Sequence, residues 1–141
     1  MEVQRLFDIP YYQLAKFPQE DAFVDKINGQ WVKTSTQTYI EKANSISRGL
    51  LKQGIQPGDK IALISNNRSE WNICDIGIQQ VGAISVPVYP TISADVYQYI
   101  FNDAGVKICI VEREELFVKV NQIKNKVESL QYIFSIDHSE G

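Results

Sequence analysis

Residues 60–88, KIALISNNRSEWNICDIGIQQVGAISVPV, contain the pattern that decides the fold. The run KIALIS at 60–65 is short and rich in Ile and Leu. Turn residues bound it, Gln56-Pro57-Gly58-Asp59 before and Asn66-Asn67 after, as they would a strand buried on both faces. A helix over 69–81 and a strand over 83–88 follow, with Gly82 as the helix end. Downstream the cycle repeats, with a helix over 94–104 and a strand over 107–111, then a helix over 114–127 and a strand over 131–136. Strand alternating with helix predicts an α/β fold, a mainly parallel sheet with helices on both faces joined by right-handed crossovers.

Upstream of this block, AFVDKI and QWVKTS flank Asn28-Gly29, a dipeptide suited to positive φ and hence to a two-residue type I′ turn. A β-hairpin therefore precedes the sheet. Ser35 or Thr36 can cap a helix that places Ile40, Ala43, Ser47, Leu50 and Leu51 on one face and ends at Gly54. A first helix over 7–17, broken near Pro10 and Pro18, would carry Tyr11, Tyr12, Leu14 and Phe17 as a docking face.

The 141 residues suffice for one domain burying roughly two-thirds of its unfolded surface. Fourteen Lys and Arg against seventeen Asp and Glu give a net charge of -3, so no positive field gathers nucleic acid or anionic lipid over the whole surface. No window approaches the ~20 apolar residues of a membrane span, and the amino terminus has no secretory leader pattern. These features predict a cytoplasmic chain, in which Asn67-Arg68-Ser69 is a helix cap and not a glycosylation site. Cys74 and Cys109 lie in separate apolar runs and are expected to be buried, reduced thiols. His138, the sole histidine, falls in the polar tail with no partner for nucleophilic catalysis.

Local motifs exclude several chemistries. Gly77 and Gly82 have the spacing that opens a phosphate loop, but Ala83 and Ile84 stand where its Lys and Ser/Thr belong, and the segment runs from helix to strand. No G-x-G-x-x-G occurs for a dinucleotide. Glu70 and Asp75 are five apart on one helix, project on different faces and read as solvated surface. Glu112-Arg113-Glu114-Glu115 reads as a solvated helix entrance whose carboxylates suit the dipole. Trp71 reads as a core residue, with a groove for an acyl chain as the alternative. Ligands of parallel sheets collect outside the carboxyl ends of the strands, which points to residues 65–67 and 89–91; Tyr89 and Thr91 are the candidate substrate-binding residues.

Several ordered strings resemble the adenylate-forming enzymes, and within them the AMP-forming long-chain acyl-CoA synthetases: STQTYIEKANSISRGLLKQGIQPGDKIALISNNRSEWNICDIGIQQVGAISVPVYPT, then VYQYIFNDAGVKICIVE. They span roughly residues 35–112. Val86-Pro87-Val88-Tyr89-Pro90-Thr91 points to the fatty-acyl branch, while Gln80-Val81-Gly82 departs from the family's usual Lys/Ala-Ala-Gly. The resemblance implies a ligase that activates a fatty acid with ATP and Mg²⁺ to acyl-AMP and then transfers the acyl group to CoA. The phosphate loop, the ribose carboxylate and the lysine of a mobile carboxy-terminal domain that such chemistry needs do not occur in these residues. The resemblance therefore implies that residues 1–141 are the amino-terminal α/β subdomain of the synthetase's large domain. Such a fragment would be inactive alone, supply no catalytic residue and bind no metal. It would be prone to self-associate through apolar area normally covered, with peripheral membrane contact open to the full-length enzyme. The alternative is a stand-alone, non-catalytic binding or oligomerisation module of the same fold.

Overall fold

The structure is a computed structural model that describes residues 2–137, so His138 lies outside the described residues. The chain divides into two compact units. Residues up to Ile55 and Arg68–Val81 form the first, and Gln56–Asn67 with the residues from Gly82 onward form the second.

In the first unit a 3-10 turn (Leu6–Asp8) leads into α1 (Ile9–Lys16), followed by β1 (Phe23–Ile27), β2 (Gln30–Thr34), α2 (Thr36–Lys52) and, after the chain returns, α3 (Ser69–Gln80). Pro10 does not break the first helix as expected. It sits in the first turn of α1, where no intrahelical N–H bond is owed and its fixed φ suits the helix. The hairpin forms as read, β1 pairing antiparallel with β2 across Asn28 (φ 50) and Gly29 (φ 79), both in the left-handed region that a type I′ turn requires. Ser35 caps α2, its Oγ accepting a hydrogen bond from the Thr38 N–H at 3.1 Å. The α2 stripe of Tyr39, Ile40, Ala43, Ser47 and Leu50 is buried, whereas Leu51, expected on that face, is 57% exposed. Leu51 shares a face with Ser47, but at 3.6 residues per turn it falls outside Ile40, the last buried position on that side of the stripe.

Helices α2 and α3 approach closely at Gly77, where an added Cβ would stand 2.7 Å from Ile46 Cγ2. Polar groups bridge the same region. The Tyr11 hydroxyl lies 2.9 Å from both Asn44 Oδ1 and Gln80 Oε1, Gln80 Nε2 donates to Ser47 Oγ at 2.8 Å, and Ser47 Oγ donates to the Gly77 carbonyl at 2.8 Å.

The second unit carries a four-stranded, wholly parallel sheet ordered β4-β3-β5-β6, from β3 (Lys60–Ile64), β4 (Ile84–Val88), β5 (Val106–Val111) and β6 (Tyr132–Ser135). Its first strand opens from a turn in which Asp59 N–H donates to the Gln56 carbonyl at 3.1 Å with Gly58 at φ 87, the geometry that Pro-Gly favours at the centre of a type II turn. Helices α4 (Ala94–Ala104) and α5 (Glu114–Asn121) lay Tyr97, Phe101, Leu116 and Val120 against Ala62, Ile64, Cys109 and Val111 on one sheet face. Ile61, Leu63 and Ile108, alternating with them, point to the other face and are also fully buried. The two-sided burial explains why KIALI reads as a continuous apolar run. The pairing shifts by one residue between Lys60 and Ile61, so that Lys107 is extra and Val106 faces the same way as Cys109.

The α/β class with a flanked parallel sheet and a preceding hairpin is thus as expected. The last helix is shorter than expected. It ends at Asn121, and the chain continues through a 3-10 turn (Lys124–Lys126) held by i→i+3 bonds such as Lys126 N–H to the Ile123 carbonyl at 2.9 Å. Ile123, Val127 and Leu130 still enter the core, so the apolar period reported burial correctly while Asn121 and Asn125, poor helix formers, let the helix tighten.

Candidate functional site

The sheet places three loops at the carboxyl ends of neighbouring strands: residues 65–67 after β3, 89–91 after β4 and 112–113 after β5. From β3 the chain crosses to β4 on one side. From β4 it returns past β3 to β5 on the other, so the order reverses between β3 and β5, the position where open α/β sheets form a crevice.

At that reversal sits Glu112, 8% exposed. Its Oε2 accepts from the Asn66 N–H at 3.2 Å and from Arg113 Nη1 at 2.7 Å, and its backbone N–H donates to the Ile64 carbonyl at 2.9 Å. The expectation of a solvated helix entrance is therefore corrected for Glu112, which is the buried tie between two strand ends. A carboxylate taken from water is stable only with such charge-assisted partners. Glu114 and Glu115 do occupy the first turn of α5 as the dipole favours.

Beside it the loop after β4 has a pinned backbone and free side chains. The Tyr97 hydroxyl donates to the Tyr89 carbonyl at 2.8 Å, and Lys119 Nζ donates to the Ile92 carbonyl while lying 5.1 Å from the Tyr97 ring centroid. Burial, reinforced by Cys109 and opposed by Arg113, pushes the Tyr97 hydroxyl up to about 12, so it stays a donor through the neutral range. Tyr89 is 80% exposed and Thr91 is exposed as well, so both present hydroxyls to solvent from a fixed loop.

The thiols do not contribute nucleophiles. Both are buried and free of disulfides; burial, then the charge of Glu70, pushes Cys74 up to about 12, and burial alone raises Cys109. Arg68, and not Asn67, is the N-cap of α3. Glu70 is only partly exposed: burial would raise its carboxyl, but hydrogen bonding to Arg68 at 2.8 Å and the charges of Arg68 and Lys42 outweigh it and hold the group below its ordinary value. Ser69 donates to the Asp25 carboxylate, joining the start of α3 to β1, so the solvated-surface reading of this helix start is corrected too. Trp71 is half-buried.

A family model described as AMP-binding enzyme matches residues 11–140. The chain belongs to that family. Among curated relatives, the long-chain-fatty-acid CoA ligase FadD15 of Mycobacterium bovis is 28% identical over 110 residues, 78% of this chain and 18% of that protein. The long-chain-fatty-acid CoA ligase ACSBG2 of Xenopus laevis is 27% identical over 118 residues, 84% of this chain and 16% of that protein. The chain thus spans less than a fifth of the length of these relatives. Among solved structures, the anthranilate CoA ligase AuaEII in complex with anthranoyl-AMP superposes with a TM-score of 0.80 at 22% identity, covering 92% of this chain and 24% of that one. That likeness concerns the fold. Within it, Gly77 is an interior residue of α3, and Gly82, at φ 77, follows that helix's end, as the reading of these glycines required.

Proposed function

We propose that this chain is the amino-terminal α/β subdomain of the large domain of a long-chain fatty acid:CoA ligase. The complete enzyme would join a fatty acid to ATP as acyl-AMP and then pass the acyl group to CoA with loss of AMP. The observation that carries the reading is the family match over residues 11–140 together with relatives named as long-chain-fatty-acid CoA ligases. In this reading fatty acid, ATP and CoA are substrates of the complete enzyme.

The residues here would build one wall and no reacting centre. Tyr89 and Thr91 would offer hydroxyls to substrate from a loop that Tyr97 and Lys119 hold in place. Preorganisation of that kind spares the site the cost of ordering a loop when ligand arrives. Among the described residues no group of three His, Cys, Asp or Glu side chains is placed to hold a metal ion. No helix among the described residues is long and apolar enough to cross a membrane.

The test is acyl-CoA synthesis from palmitate, ATP and CoA. The expected result is turnover by the complete protein and none by the 141-residue chain. Turnover by the chain alone would overturn its reading as a non-catalytic wall, and a complete protein that adenylates aryl acids but not palmitate would overturn the fatty-acyl assignment.

A further inference from the structure

The β1–β2 turn is made by Asn28-Gly29, the one Asn-Gly pair in the sequence. Both residues are exposed, with φ of 50° and 79°. Pairing of Ile27 with Gln30 closes the ladder around them, and a two-residue turn leaves the N–H of its second residue facing out. Neither the Asn28 side chain nor the Gly29 N–H has a hydrogen-bond partner among the described residues. A Cβ added at Gly29 would meet nothing within 4 Å, so the space around this amide is open.

An asparagine amide carbon and the backbone nitrogen of the next residue can close a five-membered ring, provided that the nitrogen is free and uncrowded. Gly29 has no side chain to crowd it. The other asparagines are held. Asn44, Asn72 and Asn102 lie inside α2, α3 and α4, where the next N–H is tied into the helix ladder. After Asn121 the Gln122 N–H donates to the Val118 carbonyl at 3.1 Å, and after Asn125 the Lys126 N–H donates to the Ile123 carbonyl at 2.9 Å. Asn66 and Asn67 precede Asn67 and Arg68, whose side chains flank the attacking nitrogen.

We propose that Asn28 is a self-modification site, converted through a cyclic imide to aspartate and isoaspartate. The Gly29 nitrogen attacks Asn28 Cγ, the Cγ–Nδ2 bond breaks, and ammonia leaves with the proton that the Gly29 N–H gives up. Water then opens the imide. Addition at Cγ yields aspartate, and addition at the Asn28 backbone carbonyl carbon yields isoaspartate, with the main chain rerouted through Cβ and Cγ. No electrons are exchanged, and water is the sole co-reactant.

The two products differ in what they do to the hairpin. Aspartate keeps the backbone and tolerates the left-handed region as asparagine does. Isoaspartate lengthens the main chain by one atom, so the φ pair of a type I′ turn no longer exists, and the Ile27–Gln30 and Lys26–Trp31 pairings come apart. Opening stops at Asp25, whose carboxylate accepts from the Ser69 N–H at 3.1 Å, and at Phe23, which meets Tyr39 edge-on at 4.8 Å.

The test holds the 141-residue chain in mildly alkaline buffer, which speeds loss of the Gly29 proton, and follows it by peptide mapping, ion exchange and NMR. Asn28 is expected to convert before any other asparagine, adding one negative charge to the net of -3 and giving a peptide that endoproteinase Asp-N leaves uncut at position 28. In the isoaspartyl fraction the Hα–Hα contact between Lys26 and Trp31, close in a non-hydrogen-bonded pair, is lost. Asn28→Gly, which accepts positive φ, keeps that contact and abolishes the charge change over the same period; freshly purified Asn28→Asp carries the charge and keeps the contact. Conversion at Asn66 or Asn67 ahead of Asn28 would overturn the proposal. So would an Asn28 that stays an amide while a peptide of residues 23–34 converts, since the folded turn would then shield it. A Lys26–Trp31 contact that survives in the isoaspartyl fraction would overturn the opening of the hairpin. None of these readouts measures acyl-CoA synthesis, so this site and the ligase reading fail separately.

Discussion

The two units hold together by different means. In the second, Tyr97, Phe101, Leu116 and Val120 close over the sheet in a dry core whose strands are apolar on both faces. In the first, a smaller apolar cluster around Tyr39, Ala43, Ile73 and Ile76 is supplemented by close backbone approach at Gly77 and by a relay of side-chain hydrogen bonds from Tyr11 to Ser47. The contrast teaches where each unit is vulnerable: one to lost volume, the other to added volume and lost partners.

The largest expected effect is in the dry core. Phe101→Ala should destabilise the second unit by about 3–5 kcal/mol, read as a fall in the urea midpoint, because the cavity among strands and helices cannot collapse. A loss near 1 kcal/mol would mean that the core is looser than its burial implies. Next comes alkali. Burial pushes Tyr97 up to about 12, and burial together with Asp75 does the same for Tyr39, against an ordinary value near 10. The folded pKa is raised, so the associated stability is complete below pH ~10 and is lost as pH climbs toward 12. Each tyrosine should contribute roughly 2–3 kcal/mol over that window, checked by urea midpoints at pH 8 and 11.5. A flat profile would contradict the burial of both hydroxyls.

Gly77→Ala should cost about 1–3 kcal/mol by overpacking against Ile46. Ile46→Ala in the same chain should return part of that loss, and simple additivity of the two would show that the helices are not in register there. Ser47→Ala, the smallest effect, should cost about 1–2 kcal/mol by leaving the Gly77 carbonyl without the Ser47 hydroxyl and Gln80 Nε2 with Asn44 as its remaining acceptor. If it costs nothing, the polar relay is incidental and the two units are held alike.

What was legible in the sequence was local. Asn28-Gly29 prescribes positive φ at two adjacent residues, Gly82 ends α3 and Ser35 caps α2, so hairpin, helix end and helix start all appear where the residues place them. The loop holding Tyr89 and Thr91 followed from strand ends alone. What escaped were ties across long sequence separations. Glu112 is buried because Asn66, 46 residues earlier, lies at the end of the neighbouring strand, and the 89–92 loop is pinned by Lys119, 27 residues beyond Ile92. A charge run such as 112–115 looks solvated until the strand order is known.

The proposal at the centre is that these residues would form a wall of a ligase with no nucleotide or acyl-adenylate site of their own. It is tested most directly by isothermal titration of MgATP, and then of a long-chain acyl-adenylate analogue, into the 141-residue chain. The account predicts no heat of binding from either, and stoichiometric binding at micromolar concentration would contradict it.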